Sequence, residues 1–192
     1  PRSRGLGDVY KRQHLDHVGA AGKILPELPN AKIIVHPKGK PHLVDPTKLW
    51  EGTKQVLGEI AEFLGKPEPI KEDRILEGRD WHIIELSEDF CILELFTAGH
   101  ASHHMSYYTD TDYVLFAGDM AGLHLKDGHA PTTPPPFRLD AALDSIEKVL
   151  PLRLDYMGFI HYGIVNHASQ LLIQYYGQLS LWYNTIEKLV RD

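Results

Sequence analysis

The sequence contains a single cysteine, Cys91, so the 192-residue chain can form no disulfide within itself. It has no apolar run near the ~18 residues of a membrane span. Basic residues are also scarce, with 20 Lys and Arg against 26 Asp and Glu, a formal net charge of −6. We therefore expect a cytoplasmic globular protein, with no nucleic acid and no membrane as partner.

The first thirteen residues, PRSRGLGDVYKRQ, show no hydrophobic periodicity and carry four basic residues against one acid. The segment resembles a translated adapter sequence. We interpret residues 1–13 as a non-native tail and residues 14–192 as the domain, a partial one. The alternative is a genuine basic N-terminal tail.

Histidine is the compositional anomaly, with 12 residues in the chain. Five of them fall into two short clusters, one around Asp16 and one after Gly99: His14, His17, His100, His103 and His104. Clustered histidines beside a carboxylate are typical of metal sites. Arg12 stands where a further ligand would be expected, and a fixed cation cannot bind another cation.

The hydrophobic pattern predicts interleaved helices and strands. A short helix should end near Pro26, and a longer one should run from Asp45 to Leu64. A proline-rich loop should span 129–137. The remaining predicted elements are strands at 31–36, 81–86, 90–96, 105–109, 113–118 and 156–161, and helices at about 139–150 and 168–190.

Three single residues follow predicted strands: His100 after LELFTAG, Asp119 after YVLFAG, and His161 at the end of YMGFIH. Strand ends bring residues that are distant in sequence to one locus. Histidine and carboxylate ligands without sulfur suit zinc, iron or manganese.

With these motifs the chain resembles the metallo-β-lactamase superfamily, and within it the glyoxalase II-like branch. The leading motif H-x-H-x-D-H is matched at His14, Asp16 and His17 and missed at Arg12. The later single ligands are matched by the three residues that follow strands. The resemblance implies an α/β (α+β) fold, a four-layer αββα sandwich that lacks much of its N-terminal sheet.

The resemblance also implies roles for individual residues. His14 and His100 would hold a first metal ion, and Asp119 would bridge it to a second. The second ion would be held by Asp16, His17 and His161. Two divalent ions, zinc first among the candidates, would activate a water molecule toward an ester, thioester or lactone, as in hydroxyacylglutathione hydrolase.

Further residues receive secondary roles by the same resemblance. Asp16 would orient the metal-bound hydroxide and accept its proton, and His104 would orient the site. By their positions and not by the resemblance, Tyr162 beside His161, and His124 and His129 in the loop predicted after Asp119, are candidate contacts for a small-molecule substrate.

Other functions stay open on the sequence alone. The main alternative is a non-catalytic or degenerate domain that has lost a ligand, for which Arg12 is the best support. A nucleic-acid-processing relative would need a basic groove, and a flavodiiron reductase would need a carboxylate in place of His14. The aromatic residues of the last helix predict packing or a homodimer surface, namely Tyr175, Tyr176, Trp182 and Tyr183.

Overall fold

The computed structural model describes residues 19–125, 128–133, 137–161 and 163–191. The predicted tail and the first histidine cluster lie outside these ranges. The chain divides into two compact units, one ending at Gly78 and the other beginning at Arg79.

The first unit is mainly helical with one small sheet. Its core consists of Leu25, Leu43, Ile70 and Ile75. Strand β1 pairs in parallel with β2. The elements in chain order are α1 (Ala21–Ile24), β1 (Ile33–Val35), α2 (Lys40–Val44), α3 (Thr47–Leu57), α4 (Glu59–Leu64) and β2 (Ile75–Glu77).

The predicted helix from Asp45 to Leu64 is interrupted at Gly58. This glycine has a φ of +53°, a left-handed conformation that ends α3 before α4 begins. The helix begins at Thr47, with Pro46 and not Asp45 at its N-cap, and Asp45 accepts a hydrogen bond from the backbone N–H of Thr47.

The second unit is built on a six-stranded sheet with the order β10-β9-β6-β5-β4-β3. All neighbouring pairs are antiparallel except β6 and β9, which are parallel. The strands are β3 (His82–Ser87), β4 (Phe90–Phe96), β5 (Met105–Thr109), β6 (Val114–Gly118), β9 (Tyr156–Phe159) and β10 (Gly163–Asn166).

Two helices cover one face of this sheet, α5 (Leu139–Val149) and α6 (Ala168–Arg191). Their apolar sides pack on alternate strand residues such as Leu115 and Met157, forming the main core. Phe116 and Ile164, on the other face, remain exposed. None of the described helices is long and apolar enough to cross a membrane.

The segment after Asp119 differs from the prediction of a loop. It forms a short hairpin, β7 (Leu123–Leu125) paired with β8 (Gly128–Ala130). The predicted strand at 156–161 ends at Phe159, and β10 was not predicted. These strands have only three or four residues, too few to show an alternation of apolar and polar positions.

The topology brings four chain segments to one edge of the sheet. Phe96, the last residue of β4, pairs with Met105, the first of β5. Gly118, the last residue of β6, pairs with Phe159, the last of β9. The residues that follow β4, β6 and β9 and precede β5 therefore meet at this edge.

Candidate metal centre

Two glycines at this edge allow neighbouring residues to pack closely against the backbone, one before His100 and one before Asp119. Gly99 has a φ of +141°, and a Cβ there would lie 2.5 Å from Cα of Ala142. Gly118 has a φ of +57°, and a Cβ would lie 2.6 Å from Nε2 of His104. A side chain is excluded at both positions by conformation and by space.

His100 and Asp119 face each other in a buried setting. Nε2 of His100 lies 3.4 Å from Oδ2 of Asp119, with 8% and 5% of their side chains exposed. Nδ1 of His100 lies 3.1 Å from the carbonyl oxygen of Thr132. Because a carbonyl only accepts, Nδ1 carries a hydrogen, so Nε2 is the ring nitrogen that faces the carboxylate.

This arrangement fits a metal ion. A buried carboxylate that faces an imidazole nitrogen needs a positive charge between the two atoms, which a proton on Nε2 or a bound metal ion supplies. With metal–ligand bonds of ~2.1 Å at a tetrahedral angle, neighbouring ligand atoms lie roughly 3.4 Å apart. The separation of His100 and Asp119 agrees with that spacing.

His104 holds the backbone at Asp119 through an oriented chain of hydrogen bonds. The N–H of Asp119 donates to Nε2 of His104 at 3.0 Å, and Nδ1 lies 2.8 Å from Oγ1 of Thr97. Thr97 Oγ1 lies 2.8 Å from Oγ of Ser106, which donates to the carbonyl of Ala117. Because the chain ends on a carbonyl, every hydroxyl points one way and His104 is neutral, with its hydrogen on Nδ1.

The other ligands predicted by resemblance are placed less fully. His161 lies in the turn after β9, at the same edge as Asp119. His14, Asp16, His17 and Tyr162 lie outside the described residues. Within the described ranges, no group of three or more His, Cys, Asp or Glu could hold a metal ion. The assignment of the full ligand set therefore stays a prediction.

His124 and His129 lie opposite each other in the β7–β8 hairpin. His124 stacks on Phe159, with ring centroids 5.5 Å apart, and His129 stacks on Tyr175 at 5.0 Å. Nε2 of His129 donates to the carbonyl of Ala121. Burial lowers the pKa of His129, an effect that this hydrogen bond opposes, and the nearby His124 lowers it further. Their role as substrate contacts stays a prediction.

Residues that sequence reasoning missed complete the site. Thr132 contacts both His100 and Asp119, and Thr97 and Ser106 extend the chain from His104. The position of Thr97 three residues before His100 offered a weak signal. No local pattern pointed to Thr132, because its contacts are with residues 13 and 32 positions away.

The α/β unit, with histidine and aspartate gathered at one edge of its sheet, agrees with the metallo-β-lactamase fold. The chain matches the metallo-beta-lactamase superfamily over residues 13–161 and belongs to it. The predicted superfamily is therefore confirmed, as is the α/β fold class, whereas the glyoxalase II-like branch stays a prediction. Members of this superfamily are generally metal-dependent hydrolases.

The chain is similar to a metallo-beta-lactamase fold-containing protein of Sulfurisphaera tokodaii, ST1585. The two are 31% identical over 179 residues, which cover 85% of this chain and 65% of the relative. The crystal structure of the archaeal protein superimposes with a TM-score of 0.75 at 28% identity, over 88% of this chain and 65% of the other. This chain thus spans less than two thirds of that relative.

Two further solved structures share the fold at lower identity. A metallo-beta-lactamase family protein from Thermus thermophilus, TTHA1429, has a TM-score of 0.69 at 18% identity, covering 93% of this chain and 62% of that one. The protein TTHA1623, solved in a di-iron-bound form, has a TM-score of 0.53 at 21% identity, covering 83% and 71%.

Proposed function

We propose that this chain is the metal-binding part of a hydrolase that directs a metal-activated water onto an ester, thioester or lactone. The proposal rests on the superfamily and on the candidate metal centre. It extends to a preference for thioesters of the hydroxyacylglutathione type, which only the resemblance of the AGHASHH segment supports.

The observation that carries the proposal is the facing pair of His100 and Asp119. Nε2 and Oδ2 are separated by 3.4 Å and buried. The second nitrogen of the ring is engaged by Thr132. This combination leaves the pair ready to bind a cation and gives the ring one tautomer.

Divalent ions bound at this edge would supply a water of lowered pKa and polarise the scissile carbonyl. The chain itself would keep the metal-binding side chains in fixed positions. His100 and Asp119 would bind the ions, and His104 fixes the backbone that carries Asp119. His14, Asp16, His17 and His161 are the proposed remaining ligands, with Asp16 as the group that orients the attacking water.

Two ions are proposed, with zinc first and iron or manganese as alternatives. The donor set of imidazole and carboxylate binds all three. The fold accommodates two irons in TTHA1623.

The test is to compare the metal-free chain with the chain loaded with zinc, iron or manganese. Each form is assayed against a glutathione thioester, an aryl ester and a lactone. We expect hydrolysis only in a loaded form and fastest with the thioester. Binding of metal without turnover of any of the three substrates would contradict the proposal that the chain is part of a hydrolase. Absence of metal binding would favour the alternative of a non-catalytic domain.

A further inference from the structure

The segment His129–Thr132, here named the strap, includes the last two residues of β8 and passes beside both His100 and Asp119. Thr132 contacts both residues. Its carbonyl oxygen lies 3.1 Å and its Oγ1 3.2 Å from Nδ1 of His100. The same Oγ1 donates to the carbonyl oxygen of Asp119 at 3.2 Å. One residue thus holds the ring of one candidate ligand and the backbone of the other.

The direction of these hydrogen bonds fixes the chemistry of His100. Since Oγ1 of Thr132 gives its hydrogen to the carbonyl of Asp119, it can only accept from His100. Both oxygens of Thr132 therefore face the single hydrogen on Nδ1. The hydrogen is held on that nitrogen, and Nε2 faces Asp119.

The strap is itself anchored on helix α6. The ring of His129, the first residue of the strap, stacks on the ring of Tyr175 with centroids 5.0 Å apart.

At the same residue, Nε2 of Gln178 donates to the carbonyl oxygen of His129 at 3.1 Å. Tyr175 and Gln178 are three residues apart, which places them on one face of the helix. The first residue of the strap is therefore held against one face of α6.

We propose that Thr132 is a positioning residue for the metal ligands. This inference rests on the proposed function, since it concerns the same metal ions. Groups that orient a ligating histidine change metal affinity by about 10–100-fold when removed.

Zinc affinity is measured by competition with a chelator, and melting temperature is recorded on the same metal-free samples. A parent chain that binds no zinc would overturn the proposed function and this inference with it.

A pair of variants at Thr132 separates positioning from folding. Thr132→Val removes the hydroxyl, whereas Thr132→Ser keeps it. We expect the valine variant to bind zinc about 10-fold more weakly and the serine variant to bind as the parent does. Loss of melting temperature in both without a difference in zinc affinity would make Thr132 merely structural and refute the inference.

Discussion

The second unit contains two pairs of histidine rings with nearly the same spacing and different surroundings. His100 and His104 have ring centroids 6.2 Å apart, with planes at 67°. His124 and His129 are 6.4 Å apart, with planes at 85°. In the first pair hydrogen bonds assign the hydrogen on Nδ1 of each ring. In the second pair neither Nδ1 has a partner among the described residues.

The difference shows that histidine proximity alone does not define a metal centre. Beside the first pair lies Asp119, a buried carboxylate, with hydroxyl and carbonyl groups that orient each ring. Beside the second pair lie the aromatic rings of Phe159 and Tyr175. A divalent ion in the second place would lack a compensating charge, so we expect metal only at the first.

The largest effect on zinc affinity is expected for Asp119→Asn. An amide replaces the negative charge that would bridge both ions, so we predict at least ~100-fold weaker zinc binding, larger than the loss of an orienting group. Asp110→Asn is the matched control, because Asp110 lies in the β5–β6 turn with its carboxylate near the thiol of Cys91. Chelator competition measures both. Similar affinities for the two variants would remove Asp119 from the metal site.

The next largest effect, on the stability of the metal-free protein and on its zinc affinity, is expected for His104→Ala. The substitution leaves the buried N–H of Asp119 and Oγ1 of Thr97 without their partner, and each such loss costs about 1–3 kcal/mol. Denaturant unfolding of the metal-free protein should show lower stability, and zinc affinity should fall. A variant as stable as the parent would show that the oriented chain contributes nothing to folding.

A smaller effect concerns the pH dependence of stability at His129. Burial lowers its pKa below the ordinary value of 6.5, so the unfolded chain binds a proton that the folded chain does not. Stability from this group is therefore complete above pH 6.5 and declines as pH falls toward the lowered pKa. Unfolding free energies of the parent and of His129→Phe should converge from pH 7.5 to pH 5. Parallel pH profiles would contradict a buried neutral ring.

The smallest effect is expected for His124→Phe. The imidazole stacks on Phe159 with a buried Nδ1 that lacks a partner among the described residues, and a phenyl ring keeps the stacking without the polar atom. We predict unchanged or slightly raised melting temperature and unchanged zinc affinity. A loss of zinc binding would mean that the two histidine pairs are not distinct in function.

The sequence was sufficient for the fold class and for the positions of His100, Asp119 and His161 after strands. It succeeded because long apolar strands and the AGH and AGD segments are local patterns. It could not show that Gly118 makes room for His104, since that contact depends on the pairing of β5 with β6. The hairpin β7–β8 was missed because three-residue strands carry no periodicity.

The same limit applies to the groups that orient the ligands. Thr132 and Gln178 are brought to the site and to the strap by chain segments far apart in sequence, and each is an ordinary residue of a loop or a helix face. Hydroxyl and amide groups of this kind acquire a role only through tertiary contact. The spacing of histidines could be predicted from the sequence, whereas the direction of each hydrogen bond could not.

The most direct test of this account is the anomalous X-ray scattering of crystals of the chain loaded with zinc. We predict a zinc peak within bonding distance of both Nε2 of His100 and Oδ2 of Asp119, and none beside His124 and His129. A peak at the hairpin pair, or no peak between His100 and Asp119 in crystals grown at saturating zinc, would contradict it.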